Sequence, residues 1–189
     1  MKKIISFLLL FAFGLSSCEK DDICDAATPT TPRLIISFYD FNNPTVKKKV
    51  TRLQVIGDGA PDAKGIIFNE SALDDEKYLT SGDSIGIPLR TDADTVTFSF
   101  ILNSGSTDAS QTNTDKIKFN YTRQNVYVSR ACGFKTIFKL DPLVPYEQIP
   151  GADGLWMQEI GQVNLNIEYE VILCMYDKIW ASGLILNIS

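Results

Sequence analysis

A run of two-residue alternation constrains this chain most. In QVNLNIEYEVILCMY, Gln162 to Tyr176, the residues Val163, Leu165, Ile167, Tyr169, Val171, Leu173 and Met175 share one parity. Asn164, Asn166, Glu168 and Glu170 take the other, with Ile172 and Cys174 after them. A strand turns every second side chain to the same side. A slip of one residue would bury two glutamates, so the register is firmly specified. The same period returns in DTVTFSFIL, where Val96, Phe98, Phe100 and Leu102 face away from Thr95, Thr97 and Ser99. It returns again with Ile117, Phe119 and Tyr121 in KIKFNYTR.

Shorter apolar runs fill in the rest. RLIISFYD (33–40), VTRLQVIG (50–57), SIGIPLR (84–90), NVYVSRACGF and KTIFKL read as strands, and Pro88 marks an edge or a bulge. Residues 69–80 have room for one or two helical turns. Asn103–Asp115 is a polar loop, long for a hairpin, that composition suggests is mobile or ligand-facing. Residues 141–154 are irregular, and KIWASGLILNIS, apolar on both parities, is a closing strand or a tail. No sustained helical period occurs. About nine short, mainly antiparallel strands predict an all-β fold, a β-sandwich of immunoglobulin-like or similar kind, with a β-barrel as the alternative.

The front of the chain is of another character. Lys2 and Lys3 precede Ile4–Phe13, a ten-residue run whose one polar member is Ser6. A membrane-crossing helix needs roughly twenty apolar residues, so length and flanks fit a secretory signal peptide, residues 1–17. Leu15-Ser16-Ser17-Cys18 has the spacing of a bacterial lipobox, which makes Cys18 the expected site of lipidation. Each buried methylene of an acyl chain contributes roughly 0.8 kcal/mol, so a diacylglyceryl group with an N-acyl chain is a stable anchor. Glu19-Lys20-Asp21-Asp22 resembles the short acidic signal that sends Bacteroidetes lipoproteins to the outer face of the outer membrane. The expected location is therefore the outer membrane, lipid-anchored, at the cell surface or alternatively on the periplasmic face. Residues 18–32 form an acidic linker that ends in AATPTTP, which is extended because proline fixes φ and removes a donor. Residues 33–189 are expected to make one domain.

Composition removes several chemistries. Histidine is absent, which excludes a Ser–His–Asp triad, a Cys–His pair and histidine-ligated zinc. Without residues 1–17 the chain keeps 16 of its 18 basic residues against 23 acidic ones, a balance of −7. That balance does not suit nucleic acid, and Lys47-Lys48-Lys49 reads as a solvated, edge-protecting cluster. Cys24, Cys132 and Cys174 remain once Cys18 is assigned to lipid. They allow one bridge in three ways. Cys24–Cys132 is favoured because it would staple the start of the domain to a central strand, and Cys174 is the alternative partner.

The candidate sites each have a plainer reading. Asp58, Asp62, Asp92 and Asp94 could offer oxygens to calcium but lie in turns, where aspartate accepts from nearby amides. Asp74-Asp75-Glu76 could hold a catalytic carboxylate, though solvated acids on a helical turn are the simpler reading. No catalytic residue, metal or cofactor is assigned. Trp156, beside a glycine-rich loop in GADGLWM, is the best candidate for stacking on a sugar, ahead of Trp180, Tyr39, Tyr78, Tyr127 and Tyr146. Arg123 and Arg130 could bind a carboxylate, or pair across a sheet with Glu168 or Glu170.

Three segments, CEKDDICDAATPTTPRLIISFYD, PLRTDADT and FNYTRQNVYVSRACGF, together resemble a family of small Bacteroidetes lipoproteins known as domain of unknown function 6452. The resemblance runs from Cys18 to about Tyr176. It implies a membrane-attached lipoprotein with Cys24 and Cys132 as family positions, and no known activity. The expected function is a non-enzymatic, membrane-anchored binding or envelope-assembly module. Its partners would be the bilayer, through Cys18, and an envelope protein or glycan. A glycan-binding accessory lipoprotein and a carboxylate-dependent hydrolase are the alternatives.

Overall fold

The computed structural model describes residues 23–28, 30–60, 64–168 and 183–188. Twelve strands are present among them: β1 (Leu34–Asp40), β2 (Asn43–Lys47), β3 (Leu53–Gly57), β4 (Leu79–Thr80), β5 (Ser84–Ile87), β6 (Thr95–Leu102), β7 (Asn113–Ser129), β8 (Gly133–Leu140), β9 (Tyr146–Ile149), β10 (Met157–Val163), β11 (Asn166–Ile167) and β12 (Gly183–Ile188). The only helical pieces among the described residues are short 3₁₀ turns at Asp74–Tyr78 and Ala109–Gln111.

The strands form two open sheets, so the molecule is a sandwich and the barrel alternative falls. The smaller sheet has the order β10-β12-β1-β2, with β5 sharing an edge of β1 with β2. The larger has the order β11-β8-β7-β6-β3-β4, with β9 on β7. Ladders are antiparallel except β1 with β12, which run parallel with Ile35 opposite Gly183 and Asp40 opposite Ile188. The C-terminal apolar run is therefore a closing strand, lodged between β1 and β10.

Alternation explains the core. Leu34, Ile36 and Phe38 of β1 and Ile85 and Ile87 of β5 meet Val96, Phe98, Phe100, Ile117, Phe119, Tyr121, Phe138 and Leu140 of the larger sheet. Each fully buried Phe or Leu contributes roughly 1.5–3 kcal/mol of transfer free energy. Phe38 stacks at 6.1 Å on Trp156, which closes the core from the β9–β10 connection. One glycine is required by close approach: Gly65 has φ +100°, and a Cβ there would collide with the Val55 carbonyl oxygen.

Two expectations need correction. KIKFNYTR and NVYVSRACGF do not form separate strands up to Ser129, because β7 runs unbroken for 17 residues. Its first half lies between β6 and β9, and its second half pairs with β8. Thr122-Arg123-Gln124-Asn125 interrupts the apolar pattern because the ribbon leaves the core there, with the backbone still extended. The long alternation beginning at Val163 is not one strand either. β10 ends at Val163 in the smaller sheet and β11 begins at Asn166 in the larger one, so the chain changes sheet at Asn164-Leu165. Ile167 is buried, as its parity predicts. Residues 169–182, with Cys174 and Trp180, lie outside the described residues.

Candidate functional site

A concave region adjoins Arg123, where β7 leaves the core. A cleft of about 470 Å³ is lined by Thr91, Asp94, Thr122, Arg123 and Asn125. A second, of about 380 Å³, lies on the other side of Arg123 toward Lys139 and Glu168. The Arg123 guanidinium donates through Nε to Asp94 Oδ1 at 2.6 Å and through Nη1 to the Thr91 carbonyl at 2.6 Å. The sequence offered Glu168 or Glu170 as its partner. Its ion pair is with Asp94, in the loop before β6.

Tyr121 ties down the same loop. Its hydroxyl accepts from the Arg90 amide at 2.9 Å and donates to the Arg90 carbonyl at 3.1 Å. Arg90 in turn grips Asp92 through two parallel bonds of 2.8 and 2.9 Å. That grip holds the exposed Asp92 carboxyl down at about 2. The RTDADT acids are therefore both paired, Asp92 within its own loop and Asp94 with Arg123 of β7. Asp58 faces Lys116 at 3.7 Å, and Asp62 lies outside the described residues. Glu76 is held by Arg52 and Asp75 by Lys64, so the Asp74–Glu76 turn is a salt-bridged surface.

One carboxyl is anomalous, and the sequence reading passed over it. Asp115 sits on the core parity of β7, in phase with Ile117 and Phe119, and is fully buried. Its Oδ2 accepts from the amides of Trp156 and Met157 at 3.1 and 2.8 Å, while Oδ1 has no partner. Burial pushes its pKa up to about 6 against the two amide bonds, with Asp153 adding a smaller push. An acid in the core phase of a strand is the signal that could have found it. Having no exposed surface, it cannot reach a substrate. It anchors the start of β10 to β7.

The aromatic candidate is corrected by the same contacts. Trp156 is 6% exposed, and its indole N–H donates to the Phe100 carbonyl at 3.2 Å. It is a core residue, because the glycine-rich loop folds it inward. The exposed aromatic pair stands elsewhere. Tyr127 and Phe134 face each other across the β7–β8 hairpin, ring centroids 5.5 Å apart and edge to face. They are 59% and 69% exposed. Arg130 lies in the exposed turn of this hairpin, away from both clefts. Cys132 lies there too, and a disulfide joins it to Cys24. The Pro-Thr linker then runs back along β8, where the Thr136 amide donates to the Thr31 hydroxyl at 3.1 Å. Cys18 precedes the described residues.

The sequence matches the family of unknown function DUF6452 over residues 53–172, well over half of the chain. The chain belongs to this family. The match to DUF6452 spans β3 to β11, hence every strand of the larger sheet, and it includes PLRTDADT and SRACG. DDIC, TPTTP and FYD lie before it, as do β1, β2 and Cys24, and β12 lies beyond it. No curated protein and no solved structure matches the chain.

Proposed function

We propose that this DUF6452 member is a lipoprotein of the Bacteroidetes kind, held to the outer membrane by acyl chains on Cys18, whose sandwich binds or supports an envelope component without catalysing a reaction. The observation that carries the reading is the lipobox Leu15-Ser16-Ser17-Cys18 behind a short apolar run. The Cys24–Cys132 bridge supports it, because such bonds persist in oxidising, exported compartments. The absence of histidine and the sealed position of Asp115 support a binding rather than a catalytic role. The acidic stretch after Cys18 favours the cell surface. The test is metabolic labelling with a radioactive fatty acid, followed by fractionation. The chain is expected to carry label and to sediment with outer membranes, and Cys18→Ser to lose both. A Cys18→Ser chain that still sediments with membranes would end the reading. Protease added to whole cells distinguishes the faces, since a surface protein is cleaved and a periplasmic one is spared.

A further inference from the structure

We propose that the tip of the β7–β8 hairpin is a membrane-contact surface, with Tyr127 and Phe134 seated in the headgroup layer of the bilayer that holds the acyl chains. The proposal rests on the lipid anchor argued above and adds an orientation and two contact residues.

Exposure is the first ground. From Thr122 to Lys135 no residue is buried, so the hairpin projects from the sandwich as a two-stranded ribbon. Tyr127 continues the parity of the core residue Tyr121, and Phe134 that of Phe138. The apolar face of the larger sheet thus runs on past the point where the smaller sheet covers it. Edge-to-face packing stiffens the pair, and a phenol beside a phenyl is amphipathic in the way membrane-interface aromatics are. Ile23, next to the bridged Cys24, is 80% exposed and adds apolar surface to the chain entering the tip.

The tether is the second ground, and it selects a bilayer as the occupant. Cys24 follows Cys18 by six residues, a reach of at most about 20 Å even fully extended. As flexible chain it would average roughly 13 Å. Were the bridge absent, the first attachment to the sheets would come at Thr31, with a reach of over ~40 Å. The Cys24–Cys132 bridge therefore fixes the anchor to the hairpin turn rather than to Thr136 of β8. Tyr127 and Phe134 are the large exposed apolar residues that flank this turn, and Leu143, Val144 and Ile149 lie beyond the other end of β8. The tether itself is acidic at Glu19, Asp21, Asp22 and Asp25, so the contact is made by aromatic burial rather than by charge.

The test uses the mature, acylated protein in vesicles of phosphatidylethanolamine and phosphatidylglycerol doped with dibrominated phosphatidylcholine. Phe134→Trp places a reporter at the tip. Leu143→Trp places one at a residue 89% exposed past the far end of β8, and the unsubstituted protein supplies the background from Trp156 and Trp180. The added emission of Phe134→Trp is expected to shift to the blue and to fall by at least half, and that of Leu143→Trp to stay unquenched. Adding Cys24→Ser should lower the quenching at position 134 at least twofold. Equal quenching of the two reporters in protein that floats with the vesicles overturns the contact and leaves the anchor standing. Protein that does not float overturns the anchor and this proposal with it. Retention in polysaccharide gels that Phe134→Ala abolishes, without lipid quenching, reassigns the pair to sugar and overturns it as well.

Discussion

Asp115 shows what one misfit residue costs and contributes. Its ordinary carboxyl value of 3.8 is raised to about 6 in the folded chain by burial. Between those values the folded state keeps a proton that the unfolded chain releases. Stability from this group is therefore fully present below about pH 4 and is lost as pH rises through 6, on the order of 2–3 kcal/mol in total. Exposed acids such as Asp92, whose value is lowered, act in the opposite sense. Comparison with Asp115→Asn removes that background. The variant's carboxamide oxygen can still accept from the Trp156 and Met157 amides. Its stability relative to the parent should rise by about 2–3 kcal/mol between pH 4 and pH 7. Urea unfolding across that range measures it, and a flat difference would show that Asp115 is ionised throughout.

Among the elements, the β7–β8 hairpin depends on a covalent tie more than on packing. A free two-stranded ribbon is marginal in water, and this one extends past the core with Tyr127 and Phe134 packed across it. The disulfide spans a sequence separation of 108 residues. Cross-links over loops of that size stabilise by about 2–5 kcal/mol. Cys24→Ser should lower unfolding stability by that amount and speed amide exchange over residues 124–134 more than in the core strands. Uniform exchange across the molecule would show that the bridge acts on the unfolded chain alone. The 103–112 loop is a related case. Its polar composition suggested mobility, yet Asn103 Nδ2 donates to the Gln111 carbonyl at 2.8 Å and Asp108 accepts from the Ser110 amide at 3.0 Å. Short polar side chains that look like disorder in composition here build the turn.

For the whole molecule, the decisive join is at the end of the chain. β12 supplies ladder partners to both β1 and β10. Truncation after Ser182 should uncover a ladder edge on each. The expected result is loss of cooperative thermal unfolding and association in size-exclusion chromatography, and an unchanged midpoint would refute it. The DUF6452 match stops short of β1 and β12 at either end. The larger sheet is thus the matched part, and the centre of the smaller sheet is supplied by flanking sequence in this chain.

Sequence alone determined the all-β class and the faces that β6 and β7 bury. Those properties depend on residues next to or near one another in the chain, where period two reports directly on which side meets solvent. It also holds the lipobox-like spacing of Leu15-Ser16-Ser17-Cys18, a purely local pattern. Only the tertiary structure decided that QVNLNI is divided between two sheets, that β12 runs parallel to β1, that Trp156 points inward and that Tyr127 and Phe134 point out. Each of these turns on which distant segment lies against a given face. A buried and an exposed aromatic on a strand look alike until the opposing sheet either covers them or ends before it reaches them.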